Sequence, residues 1–149
     1  MRHVRTKLLS RRVRYALLAL LLPFGSLSCG SGNDRRAVYP VRGHVLVRGK
    51  PAVGALVLFH PTDDTDAQAT RPHGKVDQDG TFVLSTYQAS DGAPVGDYVV
   101  TLDWRKAAPG RGAGGANLLD AKYGAPKQSP LRATVRADNN DLAPIQIGP

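Results

Sequence analysis

The sequence predicts an all-β fold, a seven-stranded β-sandwich that follows an N-terminal signal peptide. Beyond residue 38, short apolar stretches recur about every ten residues between clusters of Gly, Pro, Asn and Asp, a spacing typical of sandwiches. The 149-residue chain contains 16 Gly, 11 Pro and no Glu, which favours turns and strands over helices. Residues 38–149 are numerous enough to bury one hydrophobic core without disulfides.

Glycine and proline define the turns between the first four predicted strands. Residues 48–51 (RGKP) form a turn whose glycine can take a positive φ. The strand after it is almost continuously apolar, which indicates a central position in its sheet. Residues 77–80 (DQDG) form a tight hairpin turn with its glycine in the left-handed region, and Phe82 and Leu84 then face inward. The four strands cover residues 39–47, 55–60, 74–76 and 81–86.

The fifth predicted strand, over residues 97–104, alternates strictly and carries two aromatic side chains. Tyr98, Trp104 and every second residue between them share one face. Tyr98 follows residues 94–96 (PVG) as in a tyrosine corner, so we expect its hydroxyl to bond the backbone upstream. A ring that stacks on a sugar is the alternative. One helical turn is expected within residues 118–123, and the last two strands cover residues 131–135 and 142–147.

The N-terminal segment, residues 1–28, has the three parts of an export signal. Six basic residues precede Tyr15, and the first acidic residue is Asp34. The apolar run that follows spans at most 13 residues, and a membrane-crossing helix needs about 20. A basic region, a short apolar region and small residues predict a signal peptide. From Cys29 onward 14 basic residues face 12 acidic ones, so the charge gives no case for nucleic-acid binding.

Cys29 is the only cysteine and ends the segment 26–29 (SLSC). This segment resembles the lipobox of bacterial lipoproteins, although Ser26 stands where that family usually has Leu. The resemblance implies a lipid on Cys29, which becomes the new N-terminus and holds an exported protein on an envelope membrane. Ordinary cleavage near Ser28 is the alternative, but it leaves a lone thiol, a liability in an oxidising compartment. Residues 29–37 then form a flexible tether.

Four segments of residues 38–149 occur in a characteristic order. They are a strand at 41–45 (VRGHV), a Gly-Lys-Pro turn leading into a strand at 49–57, an Asp-x-Asp-Gly-x-Phe hairpin at 77–82 and a Pro-x-Gly-x-Tyr corner at 94–98. Together they resemble the carboxypeptidase regulatory-like family, a transthyretin-like and immunoglobulin-like sandwich. The resemblance implies a non-catalytic module at a cell surface, engaged in adhesion, glycan contact or scaffolding, although a fold alone does not fix a function.

We therefore expect a non-catalytic envelope lipoprotein whose domain is a structural or protein-binding module. A carbohydrate-binding module is the alternative. If the ring of Trp104 faces outward, Trp104, Arg105 and Lys106 form the candidate ligand platform; if it follows the alternation of Tyr98, it caps the core. The expected partners are a membrane, through the lipid on Cys29, and an envelope protein or glycan. No nucleic acid and no cofactor is expected.

A metal-binding enzyme of the dioxygenase-like sandwich class is a third hypothesis. His44, His60 and His73 could join a tyrosine at an iron ion. They are spaced 16 and 13 residues apart, however, and the His-x-His pair of that class is absent from the sequence. Solvated histidines, which are common at strand ends and in loops, explain them better. The sequence therefore predicts no metal ligand among the histidines.

The aspartates raise the separate possibility of a calcium site. Asp77 and Asp79 could act with Asp63, Asp64 and Asp66, since Ca²⁺ takes several oxygen ligands. Turn chemistry alone explains an Asp-x-Asp-Gly segment. No Gly-x-Ser-x-Gly elbow surrounds a serine either. We predict no catalytic residue.

Overall fold

The computed structural model describes residues 35–63, 70–105 and 115–148, and the regular secondary structure of these residues is almost entirely β. The all-β prediction is confirmed. The count of seven strands is not, because four two-residue strands at turns and sheet edges accompany the seven expected ones. No helix in the described part of the chain is long and apolar enough to span a membrane. The elements are β1 (Val38–Tyr39), β2 (Val41–Val47), β3 (Lys50–Pro51), β4 (Leu56–Pro61), β5 (His73–Lys75), β6 (Thr81–Val83), β7 (Ala93–Pro94), β8 (Gly96–Asp103), α1 (Ala121–Gly124), β9 (Arg132–Val135), β10 (Asn140–Asp141) and β11 (Ile145–Ile147).

One sheet is built around β2. The antiparallel strands β6 and β3 pair with one edge of β2, and the parallel strands β10 and β11 pair with the other. Residues of β2 alternate between buried and exposed positions, as its sequence predicts, with Val41, Gly43 and Val45 facing the core. The first long strand and the last strand of the chain therefore lie side by side.

The second sheet has the order β5-β4-β8-β9 and is antiparallel throughout. The prediction that the apolar strand β4 is central is confirmed, since it lies between β5 and β8. Its ladder with β8 runs over six residue pairs, from Leu56 opposite Asp103 to Pro61 opposite Tyr98. A separate two-residue pairing joins β1 to β7.

The core receives side chains from both sheets. Phe59 of β4 contacts both Phe82 and Tyr98, with ring centroids 6.5 and 5.4 Å apart. Phe82 and Leu84 are fully buried, as predicted from their alternation. Burial of these side chains supplies the main favourable term in folding.

The predicted hairpin turn at residues 77–80 is confirmed. Gly80 has a positive φ of 91° and donates its N–H to the carbonyl of Asp77, whose own N–H donates to the carbonyl of Thr81. His73 and Ser85 form an antiparallel bridge across the same hairpin. The longer ladders of its two strands lie in different sheets, since β5 pairs with β4 and β6 pairs with β2. The hairpin therefore also carries the chain from one sheet to the other.

The predicted tyrosine corner is confirmed. Tyr98 is 1% exposed, and its hydroxyl donates to the carbonyl of Pro94 over 2.7 Å. Burial raises the pKa of Tyr98 to about 12. The corner fixes the point where the chain enters β8.

Residues 35 and 36, the first described residues, contact the domain. The backbone N–H of Arg36 donates to the Tyr87 hydroxyl over 3.1 Å, and its guanidinium donates to the carbonyl of Val95 over 3.1 Å. The guanidinium of Arg35 lies 5.3 Å from the centroid of the Tyr87 ring. These residues and Ala37 belong to the predicted tether 29–37. Residues 29–34, which include Cys29, and the predicted signal peptide 1–28 lie outside the described part.

Replacing Tyr98 by phenylalanine tests the corner. We expect Tyr98→Phe to lower the free energy of unfolding by about 1–3 kcal/mol, because the Pro94 carbonyl loses a buried donor. The wild type should also lose stability between pH 10 and about 12, since unfolded Tyr98 ionises near 10 and folded Tyr98 keeps its proton to about 12. Tyr98→Phe lacks this ionisation. The free energies of unfolding from urea titrations at pH 9 and pH 11 should therefore differ less for the variant than for the wild type. An equal pH effect in both proteins would contradict the assignment.

A pair of glycine variants tests the close packing of the Gly92 backbone against β1. A Cβ on Gly92, where φ is +95°, would lie 1.8 Å from the carbonyl oxygen of Tyr39. Gly49 has a similar φ of +75° but open space around it. We expect Gly92→Ala to cost about 3 kcal/mol or more and Gly49→Ala about 1 kcal/mol in urea unfolding, because only the first adds a clash to the strain. Equal losses would show that the clash is absent.

Candidate functional site

A groove of about 600 Å³ lies at the end of the domain where β2 and β8 finish. Four segments far apart in the sequence line it: the turn between β2 and β3, the residue after β8, the stretch around α1 and the end of β11. Its volume falls in the range of ligand-binding clefts. The described lining residues are Val47, Arg48, Lys50, Trp104, Leu118, Leu119, Asp120, Lys122, Tyr123, Ile147 and Gly148.

Trp104 combines the two roles that the sequence left open. Its half-buried ring packs against the core and also lines the groove. Its indole N–H donates to the carbonyl of Val53 over 2.9 Å, and its backbone N–H donates to the side-chain oxygen of Asn117 over 3.1 Å. Bonds on two sides hold the ring in one orientation at the groove.

The other two predicted platform residues do not supply the charge of this groove. The guanidinium Nε of Arg105 donates to both carboxylate oxygens of Asp103, over 2.8 and 3.0 Å. Lys106 lies outside the described residues. The cations that line the groove are Arg48, Lys50 and Lys122, which sequence reasoning missed because each comes from a segment remote from Trp104.

The groove carries a net positive charge. Arg48, Lys50 and Lys122 are all exposed, and within the described residues no carboxylate forms an ion pair with any of them. The one acidic lining residue, Asp120, accepts the backbone N–H of Lys122 over 3.0 Å and so caps α1. Three cations therefore face the groove against one carboxylate that is already bonded to backbone.

Arg48 has an unusual backbone conformation for its residue type. Its φ is 52° and that of Gly49 is 75°, and both lie between the paired residues Val47 and Lys50. A two-residue hairpin with positive φ at both central positions is a type I′ turn, which favours Asn, Asp or Gly at its first position. Outliers of this kind concentrate at functional sites. The sequence predicted the positive φ of Gly49, which is confirmed, but not that of Arg48.

Exposed apolar side chains flank Trp104. Leu118, whose backbone N–H donates to the carbonyl of Trp104, is 52% exposed, and Val53, which accepts the indole N–H, is 48% exposed. Single exposed apolar residues are ordinary, but a cluster around an aromatic ring indicates an interaction surface. The groove therefore combines an apolar and aromatic surface with positive charge.

The three histidines of the metal hypothesis lie on different strands, each with a local hydrogen bond. His44 contacts the Thr81 hydroxyl, His60 the Thr101 hydroxyl and His73 the carbonyl of Arg71, over 3.1, 2.8 and 3.3 Å. Burial lowers the pKa of His60, and the nearby charge of Arg71 lowers it further. The described residues contain no group of three side chains of metal-ligating type.

Asp77 and Asp79 of the calcium hypothesis belong to the turn at residues 77–80. Asp79 accepts the backbone N–H of Thr81 over 2.9 Å, and this bond is the main cause of the lowered pKa of Asp79. Asp77 closes the turn through its backbone carbonyl. Asp64 and Asp66 lie outside the described residues.

A second, smaller hollow of about 290 Å³ lies beside β10. Its cation, Arg42, forms a two-bond ion pair with Asp141, at 2.9 and 2.7 Å. The charge of Arg42 is thus matched within the domain, unlike the charges of the larger groove.

Comparison with known proteins adds no relative. No family model matches the chain, and neither a curated protein nor a solved structure does so.

Proposed function

We propose that the protein is a non-catalytic, exported lipoprotein whose carboxypeptidase regulatory-like sandwich binds a partner protein at the cell envelope. The lipid is on Cys29, and the groove beside Trp104 is the binding surface. The observation that carries this proposal is the placement of the groove at the end of the domain opposite to the end where the chain enters.

The pairing of β1 with β7 sets these two ends. β1 directly precedes β2 and β7 directly precedes β8, so both long strands start at the end where Arg36 contacts Tyr87. Both finish at the groove, which Val47 and Trp104 line. A strand of seven residues extends about 20 Å. The groove is thus separated from the start of the domain by the length of β2.

The short connection between Cys29 and the domain relates these two ends to the proposed membrane anchor. Six residue steps separate Cys29 from Arg35, and they reach at most about 21 Å. An acyl chain on Cys29 would hold the Arg35 end of the domain near the membrane. The groove at the other end would be directed away from that membrane, where a partner can approach it.

The composition of the groove favours a protein over a glycan. Among the described lining residues there is no Asn, Gln, Ser or Thr, so the polar side chains of the groove, apart from its aromatic residues, are all charged. Tryptophan, tyrosine and arginine are the residue types most enriched at protein interfaces. Trp104 and Tyr123 also keep a carbohydrate-binding module as the second candidate, because sugar rings stack on aromatic faces.

The anchor is tested by the intact mass of the mature protein from its native host. We expect a mass of residues 29–149 plus acyl chains, in the membrane fraction. Cys29→Ala should lack the acyl mass and leave the membrane fraction, because no other feature of residues 29–149 is proposed to hold it there. Ser31→Ala is the matched control and should behave as the wild type. An unmodified wild-type polypeptide in the soluble fraction would contradict the lipoprotein proposal.

A further inference from the structure

We infer that the groove binds an extended acidic segment of the partner protein, with an apolar side chain against Trp104 and Leu118 and carboxylates at Arg48, Lys50 and Lys122. This inference rests on the proposed function, since it names the chemistry of the partner. It is argued from the charge, the backbone strain and the apolar surface of the groove.

The charge of the groove calls for an anionic occupant. Arg48, Lys50 and Lys122 lie on one groove with no ion-pair partner in the described part of the domain. Among the described lysines and arginines only Arg42 and Arg105 form ion pairs, with Asp141 and Asp103. The groove is distinguished because three of the unpaired cations line one surface. Complementary charge across an interface steers association and selects the partner.

The conformation of Arg48 indicates that its side chain is needed at this position. The left-handed φ of 52° is unfavourable for arginine, and asparagine or glycine would fit the turn better. The turn itself does not require a guanidinium. A planar guanidinium at the groove does, however, provide two parallel donors that match a carboxylate.

The apolar surface makes a protein a better occupant than an acidic glycan or a lipid headgroup. Leu118 and Val53 offer aliphatic surface beside Trp104, and an apolar side chain gains most from covering it. Under the proposed anchor, the headgroups of the membrane that holds Cys29 would lie nearer to the Arg35 end of the domain than to the groove. The partner segment is therefore acidic and contains at least one apolar residue.

A random library of 12-residue peptides, displayed on phage and selected on the mature full-length protein, is the first probe. We expect the selected peptides to carry several Asp or Glu around a Leu, Phe or similar residue. The selected peptide is then synthesised with a fluorophore, and its affinity is measured by fluorescence polarisation at low and at physiological salt. A weaker affinity at higher salt is expected. Selection of uncharged or basic peptides, or of none, overturns the inference.

Charge reversal locates the binding site. The double variant Lys50→Glu/Lys122→Glu should bind the selected peptide about tenfold more weakly or worse. Arg136→Glu, at an exposed cation beside the start of β8, is the control for charge and should change affinity less than about twofold. Circular dichroism melts of all variants report their folding. Equal losses in both variants overturn the assignment of the groove.

Arg48→Asn separates a binding role from a structural one. We expect the melting temperature to rise by about 3 °C, because asparagine suits the left-handed position, while affinity for the peptide falls about threefold or more. Ser90→Asn is the matched control and should leave affinity unchanged, since Ser90 is the other described non-glycine residue with positive φ, 59°. A stabilised Arg48→Asn with full affinity overturns the role of the guanidinium.

Two further probes distinguish failure of this inference from failure of the proposed function. Polygalacturonate and phosphatidylglycerol vesicles are tested on the same variants. Binding of either that depends on Lys50 and Lys122, in the absence of peptide binding, overturns the acidic-protein inference and leaves the groove as a glycan or lipid site. The lipid on Cys29 is tested separately by the intact mass of the mature protein. The anchor proposal can therefore fail or stand whatever the binding experiments show.

Discussion

β2 is the strand on which one entire sheet depends. Within the described residues, β3, β6, β10 and β11 all pair with it and with no other strand. The parallel pairing sets residue 145 beside residue 45, 100 positions earlier in the chain, and such a pairing needs a long crossover. It also brings Ile147 next to the Arg48 turn, where the Arg48 N–H donates to the Ile147 carbonyl over 2.9 Å. The groove therefore exists only once this sheet has formed along its whole length.

The two ends of the domain are built for different purposes. At the end where the chain enters, Asp91 accepts the backbone N–H groups of Thr86, Tyr87 and Gln88. Burial raises the pKa of Asp91, but these bonds outweigh it and hold the pKa below its usual range. The loop they order positions the Tyr87 hydroxyl for Arg36. The Asp91 carboxylate at this end is matched by backbone donors, whereas the three groove cations form no ion pair within the described residues.

The sequence predicted best what depends on neighbouring residues. The Tyr98 corner spans four positions, and the positive φ of Gly49 depends on one turn, so local chemistry was sufficient for both. Trp104 lines the groove, whereas its neighbour Arg105 pairs with Asp103, because adjacent side chains of an extended chain point in opposite directions. Lys122 reaches the groove only through tertiary packing, and no local pattern reports that packing.

Two unfavourable terms coincide at the groove. Arg48 adopts a left-handed conformation that costs a residue with a side chain about 1–2 kcal/mol, and three cations line the groove beside one carboxylate, Asp120, that is already bonded to backbone. Selection for stability alone would place asparagine or glycine in the turn and an acidic residue beside Lys50 or Lys122. Binding of an anionic segment offsets the repulsion and uses the guanidinium that the strained turn presents. Recognition of such a segment would explain both the strain at Arg48 and the clustered cations. A domain that served only as a spacer would need neither.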